Sequence, residues 1–211
     1  TYINTNGSSW VQNKAWLPTI TFNGDDDNVD WSSYFIDLNA DGLNDIIRNG
    51  GGGNERTGTQ INIGTSFSTS TQNWNTPVSL ATSQDLSVQF VDINSDGLPD
   101  ILYQFDSSIP SRSEKSIYLN KGDGKWVLDN SFLSDEIYFG NIYQGNRIVF
   151  FDVNNDGLVD AVPGSTLVDR NFNTYLNTGT GWVKSPTWNV PGNPWNPWIN
   201  FTTWPFLNIV D

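Results

Sequence analysis

The sequence predicts an all-β protein assembled from repeated sheets of four short antiparallel strands. Two observations lead there. The first is composition. The 211 residues include 10 Trp, 7 Tyr and 12 Phe, with abundant Gly, Asn, Ser and Thr and few Leu, Ala, Glu or Lys. That balance is poor in helix formers and rich in residues that suit strands and turns. The second is internal repetition, the usual mark of stacked or radial repeat architectures.

Three acidic segments can be laid over one another: Phe35 to Asp45, Phe90 to Asp100 and Phe150 to Asp160. Their first aspartates, Asp37, Asp92 and Asp152, are 55 and 60 residues apart. A second signature recurs between them as Tyr2-Ile3-Asn4, a degenerate Gln60-Ile61-Asn62, Tyr118-Leu119-Asn120 and Tyr175-Leu176-Asn177. Trp10-Val11, Trp126-Val127 and Trp182-Val183 follow three of these, with Phe67 at the weakened copy. Further on come Trp16, Trp74, Phe132 and Trp188.

Each repeat of about 58 residues holds four strand-like runs. The run before each acidic loop (Tyr34 to Ile36, Val88 to Val91, Ile148 to Phe151) is apolar enough for a strand buried on both faces. A second run follows each loop: Ile46-Ile47, Ile101 to Tyr103 and Ala161-Val162. The Tyr-Leu-Asn and Trp-Val runs are the third and fourth, joined by glycine turns such as Lys121 to Gly124 and Thr178 to Gly181. No apolar stripe at helical spacing lasts beyond a turn. Four antiparallel strands per repeat is the blade of a β-propeller. The expected division is a half blade over 1–31, blades over 32–87, 88–147 and 148–203, and the start of another over 204–211, about three and a half repeats in all.

Charge and missing residue types narrow the chemistry. A net charge of −13 disfavours nucleic acid and anionic membranes and favours cations as guests. Without cysteine there is no disulfide framework, thiol nucleophile or thiolate metal site. The absence of histidine removes the commonest general base and the usual zinc, copper and iron ligand. The expectation is that the chain is not an enzyme. No apolar run approaches the ~18 residues of a membrane-spanning helix. With no methionine at all, the chain reads as an internal or processed piece of something larger.

The acidic segment, Asp-x-Asn-x-Asp-Gly-x-x-Asp, follows the first half of an EF-hand loop. Oxygens at positions 1, 3 and 5 come from Asp37, Asn39 and Asp41, from Asp92, Asn94 and Asp96, and from Asp152, Asn154 and Asp156. Glycine at position 6 makes the turn, and position 7 can offer a backbone carbonyl from Leu43, Leu98 or Leu158. The EF-hand's position 12 would fall on Arg48, Tyr103 or Pro163, so the closing carboxylate is position 9: Asp45, Asp100 or Asp160. Hard oxygens and a formal charge near −3 per loop suit Ca²⁺, about three ions per chain.

With these motifs the sequence resembles FG-GAP or VCBS-type repeats, the calcium-binding blades found in integrin α-subunit propellers, fungal propeller lectins and bacterial surface proteins. The acidic loop followed by Tyr-Leu-Asn-x-Gly-x-Gly-Trp is also similar to repeats in shell subunits of bacterial toxin complexes. The resemblance implies a propeller fold and metal ligands at loop positions 1, 3, 5, 7 and 9. It implies no single activity.

Smaller features complete the reading. Asn6-Gly7-Ser8 and Asn200-Phe201-Thr202 are candidate glycosylation sites at Asn6 and Asn200. Trp195, Trp198 and Trp204, among Gly, Pro and Asn, are candidate contacts for a sugar or a partner. Ile209-Val210-Asp211 repeats Phe35-Ile36-Asp37, so a cut from a longer chain or strand exchange between copies is expected. The function expected is a noncatalytic, calcium-stabilised module, extracellular or on the cell surface. It would act in adhesion or as a building block of a larger assembly, with a protein partner, a second copy or a glycan as its contact. A carbohydrate-binding lectin and a toxin-complex shell segment are the alternatives.

Overall fold

The structure is a computed structural model that describes residues 2–18, 33–49, 57–68, 74–80, 86–105, 114–137, 139, 148–163 and 173–188. The described residues are all-β apart from one 3-10 turn at Lys14–Trp16. The first strands are β1 (Tyr2–Thr5), β2 (Ser9–Gln12), β3 (Ser33–Ile36), β4 (Asp45–Asn49) and β5 (Thr57–Gln60). The second repeat contributes β6 (Leu86–Val91), β7 (Asp100–Phe105), β8 (Glu114–Asn120) and β9 (Trp126–Leu128). The third contributes β10 (Ile148–Phe151), β11 (Asp160–Pro163), β12 (Thr174–Asn177) and β13 (Trp182–Ser185). Two of the sheets have four strands in chain order, β6-β7-β8-β9 and β10-β11-β12-β13, as the repeats predict. β1 and β2 form a two-stranded hairpin.

Among its described residues, the first full repeat shows three strands where four were expected. Its sheet is β3-β4-β5, and β5 lies just ahead of the degenerate Gln60-Ile61-Asn62. Where the fourth strand was expected, a single bridge joins Asn62 to Phe67. That bridge has the register of Asn177 opposite Trp182 in the third repeat. The Trp-Val pair that follows the turn in the other repeats is absent here, with Phe67 in its place.

Register places the acidic loops. The last residue of each first strand faces the ninth loop residue: Ile36 opposite Asp45, Val91 opposite Asp100 and Phe151 opposite Asp160. Each loop is thus the hairpin connection between the first two strands of its sheet. Burial is heavier one strand further in than the sequence suggested, although Val88 of β6 is buried as expected. Phe35 is 59% and Val149 42% exposed, whereas Ile46, Ile47, Ile101, Leu102, Ala161 and Val162 are buried. The difference follows strand position: β3, β6 and β10 are edge strands of their sheets, and β4, β7 and β11 are flanked by a hydrogen-bonded strand on each side.

The chain divides into two compact units, residues 1–83 with 97–99 and 118–127, and residues 84–96 with 100–117 and 128–211. Within each, an aromatic wedge joins successive repeats. In the first unit, Trp16 meets Phe67 edge-on at 5.7 Å and Trp74 meets Trp126 at 6.4 Å. In the second, Phe132 meets Trp182 at 6.5 Å, and the Trp182 indole N–H donates to the Phe132 carbonyl at 2.7 Å. The trailing aromatic of one repeat therefore packs on the leading aromatic of the next. Edge-to-face pairs of this kind contribute about 0.5–1.5 kcal/mol beyond burial.

Tyr175 adds a polar link between repeats. Its hydroxyl donates to Glu136 Oε2 at 2.7 Å, and burial followed by the Glu136 carboxylate pushes the phenol up to about 12. A phenol that holds its proton more tightly when folded stabilises fully below its unfolded value of ~10. That stability is lost as pH rises from about 10 to about 12. Tyr175→Phe is expected to abolish this alkaline dependence in urea titrations and to cost about 1 kcal/mol at neutral pH.

Candidate metal centres

The three loops fold alike because their side chains cap their own backbone. In the first, Asp41 N–H is shared between Asp37 Oδ1 and Asn39 Oδ1, both at 3.1 Å. Gly42 N–H donates to Asp37 Oδ2 at 2.7 Å, and Leu43 N–H to Asp41 Oδ1 at 2.9 Å. Asn39 Nδ2 donates to Asp41 Oδ2 at 3.0 Å. The third loop repeats all of these: Asp156 N–H to Asp152 and Asn154, Gly157 N–H to Asp152, Leu158 N–H to Asp156, and Asn154 Nδ2 to Asp156. In the second loop Asp96 N–H reaches Asp92 and Asn94, both at 3.0 Å, and Asn94 Nδ2 reaches Asp96. Positions 1, 3 and 5 are therefore brought together at the tip of each hairpin.

Backbone conformation explains the sequence at two loop positions. The glycines at position 6 have φ of 84°, 84° and 86°, a region that a Cβ makes costly. Position 4 is also left-handed, with φ of 59° at Ala40, 59° at Ser95 and 62° at Asn155. Asparagine tolerates that conformation well, and alanine does not. Ala40→Asn is expected to stabilise the chain by about 0.5–1 kcal/mol in chemical denaturation, whereas Asn155→Ala should destabilise it by a similar amount.

The ninth residue sits beneath the loop. Asp45 is fully buried, its Oδ2 accepting Leu38 N–H at 2.9 Å and its Oδ1 accepting Asn62 N–H at 2.7 Å. Asp160 accepts Val153 N–H at 3.0 Å and Asn177 N–H at 2.8 Å, and Asp100 accepts Ile93 N–H at 3.1 Å. Burial pushes the Asp45 and Asp160 carboxyls up; the backbone N–H groups oppose this, and the neighbouring loop aspartates reinforce it. Asp152 goes the other way. Its own desolvation is outweighed by the backbone N–H groups of residues 154–157, which hold it below the usual carboxylate range.

The donor chemistry of each loop fits a hard divalent cation: carboxylate and amide oxygens at positions 1, 3 and 5, with a backbone carbonyl available at position 7. Among the described residues no three acidic side chains already converge as a closed metal cluster. Like charges drawn together without a counter-ion repel, and here the carboxylates turn to backbone N–H groups instead. Each bonded carboxylate oxygen retains acceptor capacity for a further partner.

The remaining sequence candidates divide by position. Asn6 lies at the exposed tip of the β1–β2 hairpin, with φ of 56°, beside Gly7, whose N–H donates to Asn4 Oδ1 at 2.8 Å. Asn200, Trp195, Trp198 and Trp204 lie outside the described residues, as does the expected start of a further blade at 204–211. Sequence reasoning treated the asparagine of Tyr-Leu-Asn as a repeat marker only. Its structural role is visible in the fold: Asn120 Nδ2 donates to the Leu38 carbonyl at 2.8 Å, and Asn177 Nδ2 to the Ile93 carbonyl at 2.9 Å.

The repeated four-stranded sheets and their hairpin loops define a β-propeller-like repeat module. Residues 37–103 match the family model described as FG-GAP-like repeat, a span that opens on the first loop's Asp37 and runs through the second loop into β7. Among solved structures, the chain is similar to a lectin of Agrocybe aegerita, reported in a study of its specific recognition of non-reducing terminal N-acetylglucosamine. The identity is 17% and the TM-score 0.45, over 73% of this chain and 37% of the lectin. No curated protein matches the chain. Among the described residues no helix is long and apolar enough to cross a membrane.

Proposed function

We infer that the chain is a noncatalytic, calcium-stabilised β-propeller module, extracellular or on the cell surface, that presents a rigid surface in adhesion or in a larger assembly. One observation carries this reading. Three loops of the same oxygen-rich sequence take the same capped shape at the same hairpin of three successive sheets. Oxygen ligands at three such points would each neutralise crowded carboxylates and clamp the first two strands of a blade. Asp37, Asn39, Asp41, Leu43 and Asp45 would hold the first ion; Asp92, Asn94, Asp96, Leu98 and Asp100 the second; Asp152, Asn154, Asp156, Leu158 and Asp160 the third. A loop that saturates its ion with its own oxygens leaves little of the open coordination that metal catalysis needs.

Asp92→Ala with Asp96→Ala tests the scaffold role. Stability and partner binding are expected to fall together, and loss of a measurable turnover from a folded variant would show a catalytic metal instead. Replacing Trp195 and Trp198 and screening a glycan panel separates assembly from lectin activity. A sugar-specific signal abolished by those changes would favour the lectin reading.

A further inference from the structure

We propose that Asn120 and Asn177 are positioning residues that hold the acidic loop of the preceding repeat in shape from one repeat away, and that Asn177 thereby couples the second and third loops. The cation part of this inference rests on the calcium reading above; the mechanical part does not.

The argument begins at loop position 2. Leu38 and Ile93 are buried, so both polar groups of their backbone need partners. Their N–H groups go to the ninth residue of their own loop, Asp45 and Asp100. Their carbonyls go to another repeat: Asn120 Nδ2 reaches Leu38 O, and Asn177 Nδ2 reaches Ile93 O. Both asparagines are buried, at 0% and 2% exposure, so water does not readily replace the bond. Each also keeps Oδ1 for its own turn, accepting Gly122 or Gly179 N–H at 2.9 Å. The side chain is thus fixed at one end and directed at the neighbouring loop by the other.

Asn177 shows the coupling most fully. Its backbone N–H donates to Asp160, beneath the third loop, while its side chain supports the second loop through Ile93. A second strut joins the same two loops, since Ser95 Oγ donates to the Gly157 carbonyl at 3.1 Å. Asn62 provides the internal contrast. Its Oδ1 accepts Gly64 N–H in the same way, but its Nδ2 donates to Asn44 O within its own repeat at 3.2 Å.

The test uses Asn120→Asp and Asn177→Asp, which keep the size and the local acceptor while removing the donor, with Asn62→Asp as reference. Amide hydrogen exchange on the full chain is measured by NMR, first in chelator and then across a calcium titration. In chelator, N177D is expected to speed exchange of the Ile93 amide at least tenfold, and N120D that of the Leu38 amide. N62D should leave the Ile93 amide unchanged, its effect staying in the first loop, where Asn62 bonds Asp45 and Asn44. In calcium, the concentration that half-protects the affected loop should rise several-fold, with the Asp156 amide less changed. Acceleration confined to each variant's own hairpin, or spread evenly over the chain, would overturn the proposal. If the wild type shows no calcium protection, the functional reading fails and the chelator experiment alone decides the latch. If either Asp variant does not fold, Asn→Ser at the same position supplies the comparison, because its hydroxyl can still accept the turn N–H. Absence of a remote effect in the Ser variants would equally overturn it.

Discussion

Calcium is expected to raise the melting temperature of this chain by roughly 15–30 °C over its value in chelator. An ion that binds only the folded state stabilises it by about 2.7 kcal/mol per site at a hundredfold excess over its dissociation constant. Three such loops would contribute about 8 kcal/mol. For a chain of this size each kcal/mol shifts the melting temperature by about 2–4 °C. The sign follows from the charge: a chain with net charge −13 carries three aspartates in each loop sequence, and a divalent cation would relieve their repulsion. Magnesium should give a much smaller shift, because it demands a tighter octahedral shell and gives up water reluctantly. Thermal melts followed by circular dichroism, in chelator, magnesium and calcium, measure this.

The second large effect separates the two kinds of loop aspartate. Asp160→Ala is expected to cost about 2–4 kcal/mol already in chelator, before the loss of a calcium ligand is added. The substitution leaves the N–H groups of Val153 and Asn177 without their acceptor, at about 1–3 kcal/mol each, partly offset because a buried carboxylate is no longer needed. Asp156→Ala should behave differently. Its carboxylate is exposed and bonded within the loop tip, so in chelator the loss should be near 0.5 kcal/mol. In calcium it should forfeit the whole increment of that site. Urea denaturation of both variants in both conditions tests the pair. Equal losses of the two variants in chelator would mean that position 9 serves no separate structural purpose.

The acidic loops were legible because their logic is local. Asp, Asn, Asp and Gly at fixed spacing fold into one hydrogen-bonded turn with contacts only two to five residues apart. The strands around them were legible for the same reason, through short apolar runs and the hairpins that join them. Burial was not. Phe35 and Ile46 look alike in sequence, and only the order of strands in the sheet decides that one is exposed and the other covered. The single bridge seen among the described residues in place of a fourth strand in the first full repeat was signalled by its degenerate Gln60-Ile61-Asn62, although the sequence alone placed a third strand there rather than just before it. The asparagine bonds were invisible for a different reason. They join residues 82 and 84 positions apart, and no local pattern tells a side chain which neighbour's carbonyl it will reach. The aromatic wedges lay between. Their members could be aligned in sequence, but their pairing across successive repeats required the fold.

The central claim is that the three loops are calcium sites. Its most direct test is calorimetric titration of the chelator-stripped full chain with calcium, counting ions bound per chain. The account predicts about three ions, falling by about one when Asp92 and Asp96 are both replaced by alanine. A folded chain that binds none would contradict it.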